Sequence, residues 1–534
     1  MNLKTIDIAI FAAYILVVIG LGAIASLKVA KTKRDYFLAG DKLPWWMVGG
    51  SIVAANISSH HFVGVIGTAY QYGFAAMTIE WGAILVGFNA LLWVFLPFYL
   101  RNGFYTMPEF LEKRFGSTAR AAFAALILVT YVFVEIAAVL YLGAVGLNSL
   151  FAIPMIWCIV ILAVFTGVYT IIGGLRAVVW TEMLQLVVLL AGGVALSYKT
   201  IGAVGGWSQV MATSHKWHLL PPANDPVFPW TQFLGGTLCI SVFYCAANQF
   251  IVQRALAAKN EWHARMGIVF TDYLKFLTPL IIIIPGLAAP MIFRQLNIHI
   301  DKPDSTFPLL VENLLPSGLI GLVMAGLIAA IMSHISGAIN SCTTIATVDF
   351  YLPYVNKSAT DAQAVRFGRI VGGVIVVLGI FWGWVLLGHS DKPVFVYLLN
   401  AYGYITPGIA TMFLLGILWK RATQPGVLAA GALTIPLSAA MEKLSPSLPH
   451  AIGQYITPFM NRTGIVFWVC MLVGVVVSLY TKPKTAEELK GLIWNRESLL
   501  LPKEERDQMR GLRNPAIWWA IVTAAVLFFY IRFH

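Results

Sequence analysis

Charge is scarce in this chain of 534 residues: Asp, Glu, Lys and Arg make up 11%, against 59% hydrophobic residues. Mean hydropathy is +0.78. Soluble domains need about 25–35% charged residues on their surfaces, so a string of globular domains is excluded, and disorder and collagen-like fibres fall with it. Cysteine is also rare. Cys158, Cys239, Cys245, Cys342 and Cys470 all sit in apolar runs without CxxC spacing, which argues against a disulfide framework and a zinc site. Acidic residues are outnumbered, giving a net charge of +12. The Lys and Arg lie mostly in short connectors between apolar segments, which is a membrane orientation signal rather than a nucleic-acid surface.

What the chain has in abundance is apolar length. A helix needs about 20 apolar residues to cross the hydrocarbon, and fourteen stretches qualify: 5–27, 44–70, 78–100, 120–149, 153–174, 178–199, 228–254, 266–293, 310–350, 367–388, 396–418, 424–442, 464–481 and 514–533. An all-α integral membrane protein with 14 transmembrane helices is expected. With the N-terminus outside, the inner loops hold 26 Lys and Arg and the outer loops and tails nine, with Lys275 inside a span. This excess places both termini on the outer side of a plasma (inner) membrane. The basic cluster follows the first apolar run instead of preceding it, so the first helix reads as uncleaved. The longest polar segment, 482–513, is a charged connector with helical periodicity against the inner face.

Several spans break the rule that lipid tolerates no charge, since an ionisable group at the bilayer centre costs about 2.5–3.5 kcal/mol. They carry His60 and His61, Glu80, Glu135, Glu182, Asp272 with Lys275, and His334. Glu80 and Glu182 lie near span ends, where interfacial water offers a bland explanation. Lys275 sits too deep to snorkel easily, and pairing with Asp272, three residues earlier on one helix face, is the structural alternative for it.

Residues 54–61, AANISSHH, are small, polar and poor helix formers in the middle of a span, which predicts a break. The seventh span is likewise polar at mid-depth, with Ser241, Tyr244, Asn248 and Gln249. These are the first helices of two successive five-helix sets, 44–199 and 228–421, whose odd span number gives opposite orientation, the layout of an inverted-repeat transporter. Residues 1–43 precede the sets as a first helix and basic loop, 200–227 joins them outside, and 422–534 adds further helices. In the ninth span Ala330, Ser333 and His334 face one way. Set against carbonyls freed near Ala54 to Ile57, this stripe would make an oxygen cage for a small cation.

These residues resemble the solute:sodium symporter family in its sodium–glucose cotransporter branch. The matching strings include DYFLAGDKLPWW (35–46), AANISSHHFVG, GFYTMPEFLEKRF (103–115), YTIIGGLRAVVWTEMLQ (169–185), NQFIVQRALAAKN, NSCTTIATVDFY and YITPGIATMFLLGILWKR, in the family's order up to about residue 421. The resemblance implies a leucine-transporter-like 5+5 inverted-repeat core with alternating access. It implies a sugar site in which His61 and Glu80 bind hydroxyls, Lys275 is a second charged partner, and Tyr244 is an aromatic platform and inner gate held by Asn56. The family's glutamine on the eleventh span is replaced by Leu399, with Asn400 beside it as the candidate. The implied Na+ site uses carbonyls of Ala54, Ile57 and Ala330 with the hydroxyl of Ser333. Its second serine is His334 here, and its neighbouring aspartate is Glu182. This departure raises proton coupling through His334, with Glu182 or Glu135, as the alternative.

The expected function is a cation-coupled symporter of a sugar or similar polyhydroxylated solute, using Na+ or H+ and no organic cofactor. Its partners are the solute, the cation and the bilayer. A membrane-embedded enzyme is the competing class, but HExxH, GxSxG and metal-spaced Cys/His clusters are missing from the sequence.

Overall fold

The computed structural model describes all residues except 1–3, 28–31, 59, 152, 213–216 and 388–393. Ser59 of the expected break and the end of the tenth expected span at 388 therefore lie outside the described residues. The described chain is all-helical. Its one recorded β-bridge joins Leu43 to Ala258.

Among the described residues, eleven helical stretches are long and apolar enough to cross a membrane, or twelve if Gly236–Ala247 and Gln249–Leu256, bent by 43°, count as one. Two stretches are far longer than one crossing. Met155–Ala203 runs for 49 residues and departs from helical geometry at Gly174 (φ 59°, ψ −162°). Glycine is required there twice over, because a Cβ would also lie 2.6 Å from the Tyr36 carbonyl oxygen. His60–Arg101 runs for 42 residues and turns at Gly73 (φ 70°, ψ −144°).

Two breaks shape the interior. Trp45–Asn56 ends where Ile57 turns extended (φ −78°, ψ 119°), and a π-helix resumes at His60–Val65. Gly236–Val242 continues as the π-helix Phe243–Ala247 and ends at Asn248 with nearly the same dihedrals (φ −83°, ψ 117°). The Asn248 side chain accepts from the Phe250 N–H and so caps Gln249–Leu256. Both breaks fall in polar, helix-poor sequence, which lets side chains take backbone groups that a helix would otherwise pair.

The helix Leu319–Ile345 is buried along nearly its whole length. It packs against Met155–Ala203, Thr5–Leu27 and the broken helix Trp45–Asn56. Large apolar side chains such as Leu16, Trp157, Val187 and Phe528 point outward, where lipid rather than water is their solvent. The five cysteines are free and buried. Segment 482–513 departs from the expected helical connector: its regular pieces are the short 3₁₀ turns Arg496–Leu499, Lys503–Met509 and Gly511–Arg513. Their carbonyls at Ser498, Leu499 and Leu500 accept from Arg265 and Arg101. The backbone is thus spent on docking to basic side chains instead of on an α-helical ladder.

Candidate functional site

The break after Asn56 sets the site. Asn56 ends its half-helix and holds two neighbours: its Oδ1 accepts from Lys275 Nζ at 2.5 Å, and its Nδ2 donates to Tyr244 Oη at 2.9 Å. Lys275, from the long helix Glu261–Gln295, also donates to Glu80 Oε2 at 2.6 Å. Glu80 stands on the short helix Met77–Gly82, and its other oxygen lies 3.3 Å from His61 Nε2. The Ser58 N–H donates to His61 Nδ1 at 3.3 Å, so in the neutral ring the hydrogen sits on Nε2. That N–H lacks an aligned acceptor and is a donor held ready beside Glu80. Lys275 does not pair with Asp272.

These groups line one narrow cavity of about 80 Å³, tighter than the space a bound small molecule usually fills. The structure thus brings His61, Glu80, Tyr244, Lys275 and Asn56 together. It does not bring Asn400 with them. Leu398 and Leu399 line the cavity, while Asn400 lines a separate recess with Tyr404, Ser438 and Arg462. One residue along a helix is a rotation of about 100°, so the amide beside Leu399 faces the neighbouring helices Gln424–Leu444 and Phe459–Tyr480. Other wall residues stood outside the expected set. Tyr402 offers a second ring, 6.2 Å from that of Tyr244 and nearly perpendicular to it. It lies one turn beyond Leu399, and Ser241 one turn before Tyr244, so helical spacing from each expected position finds them. His60 also lines the cavity, its ring centroid 4.5 Å from that of His61 and 5.7 Å from that of His334.

The same break frees carbonyls on its other side. Ser333 Oγ donates to Ala54 O at 2.5 Å and lies 3.1 Å from Ala330 O, both within reach of its one hydrogen. His334 Nδ1 contacts Ala55 O at 3.0 Å and its Nε2 contacts Glu135 Oε2 at 2.9 Å. Ala54, Ala330 and Ser333 therefore converge as the sequence implies, with Ile57 at the break itself. His334 lies beside them, and Glu135 extends from it into the cavity wall. Glu182 stands near them in its own buried cluster, where Arg254 and Ser51 hold its carboxylate. The oxygen set of Ala54, Ala330 and Ser333 suits a hard cation.

A family model described as the sodium:solute symporter family matches residues 36–434. The chain belongs to the sodium:solute symporter family. The family couples solute movement to Na+. Among relatives, the chain is 35% identical to a sodium/glucose cotransporter of Vibrio parahaemolyticus, over 87% of this chain and 90% of that one. It is 33% identical to the sodium/myo-inositol cotransporter of Homo sapiens, over 95% of this chain and 79% of that one. It is 30% identical to sodium/glucose cotransporter 1 of Oryctolagus cuniculus, over 94% and 82%. Among solved structures, a Na+-coupled sialic acid symporter in a substrate-bound outward-open state shares the fold of this symporter. Its TM-score is 0.80 at 22% identity, over 91% of this chain and 100% of that one. Mhp1, a nucleobase-cation-symport-1 family transporter in a closed conformation, is a more distant match, with a TM-score of 0.54 at 14% identity over 87% and 99%.

Proposed function

We propose that the protein is a Na+-coupled symporter that carries a sugar or polyol inward by alternating access, with Glu80, His61, Lys275, Asn56 and Tyr244 as its solute site. The observation that carries this reading is the single cavity in which a carboxylate, an ammonium, an amide and an imidazole face two aromatic rings. A polyol supplies hydroxyls that need paired donors and acceptors once water is excluded, and C–H faces that suit aromatic rings. The relatives' names, glucose and myo-inositol cotransporters, support the same solute class. Na+ would bind at the carbonyls of Ala54, Ile57 and Ala330 with Ser333. The test is uptake into proteoliposomes under an inward Na+ gradient, with labelled D-glucose, D-galactose and myo-inositol. Accumulation of chemically unchanged solute is expected. No uptake, or a converted product pointing to an enzyme, overturns the reading.

Fourteen crossings fit this function. At 1.5 Å per residue the 49-residue stretch would be about 75 Å long, against a hydrocarbon thickness of about 30 Å, so Gly174 divides two crossings. Gly73 likewise divides the second from the third. Five crossings in each of 44–199 and 228–421 then form the inverted repeats. The loop 200–227 lies outside, 1–43 and 422–534 flank the repeats, and the basic connectors, including 482–513, face the inside of a plasma membrane.

The contact between His334 and Glu135 favours a second reading, proton coupling. A carbonyl has no hydrogen to give, so Nδ1 must donate to Ala55 O. Nε2 and a Glu135 oxygen then meet at 2.9 Å, a distance that is attractive only with a further proton between them. Uptake driven by a pH gradient without Na+, and abolished by His334→Ser, would support this reading. Uptake that ignores pH would remove it. Glu182, saturated by Arg254, is the weaker proton candidate.

A further inference from the structure

Asp272 is the buried ionisable group that the solute site leaves out. It is fully buried, and neither of its carboxyl oxygens has a hydrogen-bond partner. Native proteins rarely leave such a group unmatched, because its desolvation is not repaid. Three residues on, the Lys275 ammonium binds Asn56 at 2.5 Å and Glu80 at 2.6 Å, and it makes no hydrogen bond to Asp272. The two residues share a helix face and are about 4.5 Å apart along the axis. A lysine side chain is long enough to reach either position by rotating its own bonds, with the backbone still. The Phe88 ring, with its centroid 5.9 Å from Nζ, offers the cation an attractive face where it now stands.

The groups around Lys275 have a definite order. Glu80 is shared between Lys275 and His61, and Asn56 between Lys275 and Tyr244. A solute hydroxyl that takes the Glu80 or Asn56 oxygen now bound by Lys275 competes with the ammonium for it. A displaced ammonium in this interior needs another carboxyl at once, because an unpaired buried charge is strongly unfavourable.

Resting on the solute site argued above, in which Lys275 holds Glu80 and Asn56 while the cavity is empty, we propose that Asp272 is a second station for the Lys275 ammonium: solute binding to Glu80 and Asn56 turns Lys275 back one helical turn onto Asp272, and solute release returns it. The switch presents Glu80 and Asn56 to the solute together. It also removes one of the two contacts on Asn56, the residue that holds the Tyr244 hydroxyl, and so ties occupancy of the cavity to the freedom of that ring.

The first test needs no solute. Thermal unfolding of the full chain in detergent is compared for Glu80→Gln, Asp272→Asn and the double variant. Glu80 and Asp272 share no hydrogen bond or ion pair, so independent roles would give additive shifts. The expected result is a small shift for each single variant and a double-variant loss several degrees beyond their sum. In a Lys275→Gln background that excess disappears. Additive shifts, or an excess that survives Lys275→Gln, overturn the proposal. Asp272→Ala, run in parallel, removes the carboxyl without adding a donor and gives the same pattern.

The second test is uptake of D-glucose, D-galactose and myo-inositol. With the ammonium confined to Glu80, Asp272→Asn raises KM about tenfold, equivalent to 1.4 kcal/mol, with a much smaller change in maximal rate. An unchanged KM beside active wild-type uptake overturns the proposal. Failure of the wild type to move any of these solutes would count against the solute site instead, while the thermal cycle still decides the ammonium's second station.

Discussion

Two of the buried carboxylate–cation pairs in this protein, Arg254–Glu182 and Lys275–Glu80, differ in what they leave unsatisfied. Arg254 is closed on every side. Its Nε donates to Ser51 Oγ at 2.9 Å, a second nitrogen binds Glu182, and a third donates to the Phe250 carbonyl. The Phe250 ring lies 5.0 Å from the guanidinium carbon. The planar fork of arginine allows this saturation, which a lysine point charge cannot match. Lys275 and Glu80 instead border a cavity, beside a His61 N–H with no aligned acceptor and within one helical turn of an unpartnered carboxyl. The difference teaches that charge inside a membrane protein is not by itself a sign of binding. A saturated pair pins helices together, and an unsaturated one is available to a ligand.

Breaking the closed pair should have the largest effect. Arg254→Met leaves Glu182 buried without its cation and should cost about 3–5 kcal/mol, read as a lowered melting temperature and poor recovery of folded protein. Adding Glu182→Leu should restore much of that loss, because a buried pair can often be exchanged for apolar packing. Glu80→Gln, by contrast, should melt near the wild type. It should lower solute kcat/KM roughly 10- to 100-fold, as expected for losing charged hydrogen bonds of about 1.5–3 kcal/mol. If Glu80→Gln unfolds the protein while Arg254→Met does not, the distinction between the pairs is wrong.

Smaller effects sharpen the comparison. His334→Ser returns a hydroxyl to the oxygen cluster of Ala54, Ala330 and Ser333, and should lower the Na+ concentration for half-maximal uptake severalfold in a sodium titration. No change would mean that the imidazole does not compete for the cation position. Tyr244→Phe removes one neutral hydrogen bond to Asn56, worth about 0.5–1.5 kcal/mol, and should weaken solute affinity less than Glu80→Gln in equilibrium binding.

Much of the candidate site was legible because intramembrane polarity has few explanations. Lys275, Glu80, His61, Asn56 and Tyr244 each stood out against an apolar background, and they do converge. The break near Ile57 was legible in the run of small polar residues. Asn400 was misjudged because hydropathy does not fix the rotation of the eleventh helix, where a step of one residue separates the cavity from a neighbouring recess. Tyr402 was hidden because a tyrosine in an apolar span is unremarkable until its neighbours are known. The connector 482–513 carried a helical rhythm, yet its carbonyls are bound by Arg101 and Arg265, which are distant in sequence.

The sequence by itself determined that this chain lives in lipid, where its helices stop and which residues are too polar to face hydrocarbon. These are local properties, set by the transfer of each segment from water and by the conformational preferences of short stretches. Tertiary structure alone decided the partners. Lys275 meets Glu80, 195 positions away, instead of Asp272 three positions away. Glu182 is claimed by Arg254, and His334 bridges a broken helix to Glu135. Pairing within a bundle depends on the rotation and register of whole helices, which are fixed by the packing of many side chains at once and are written in no single segment.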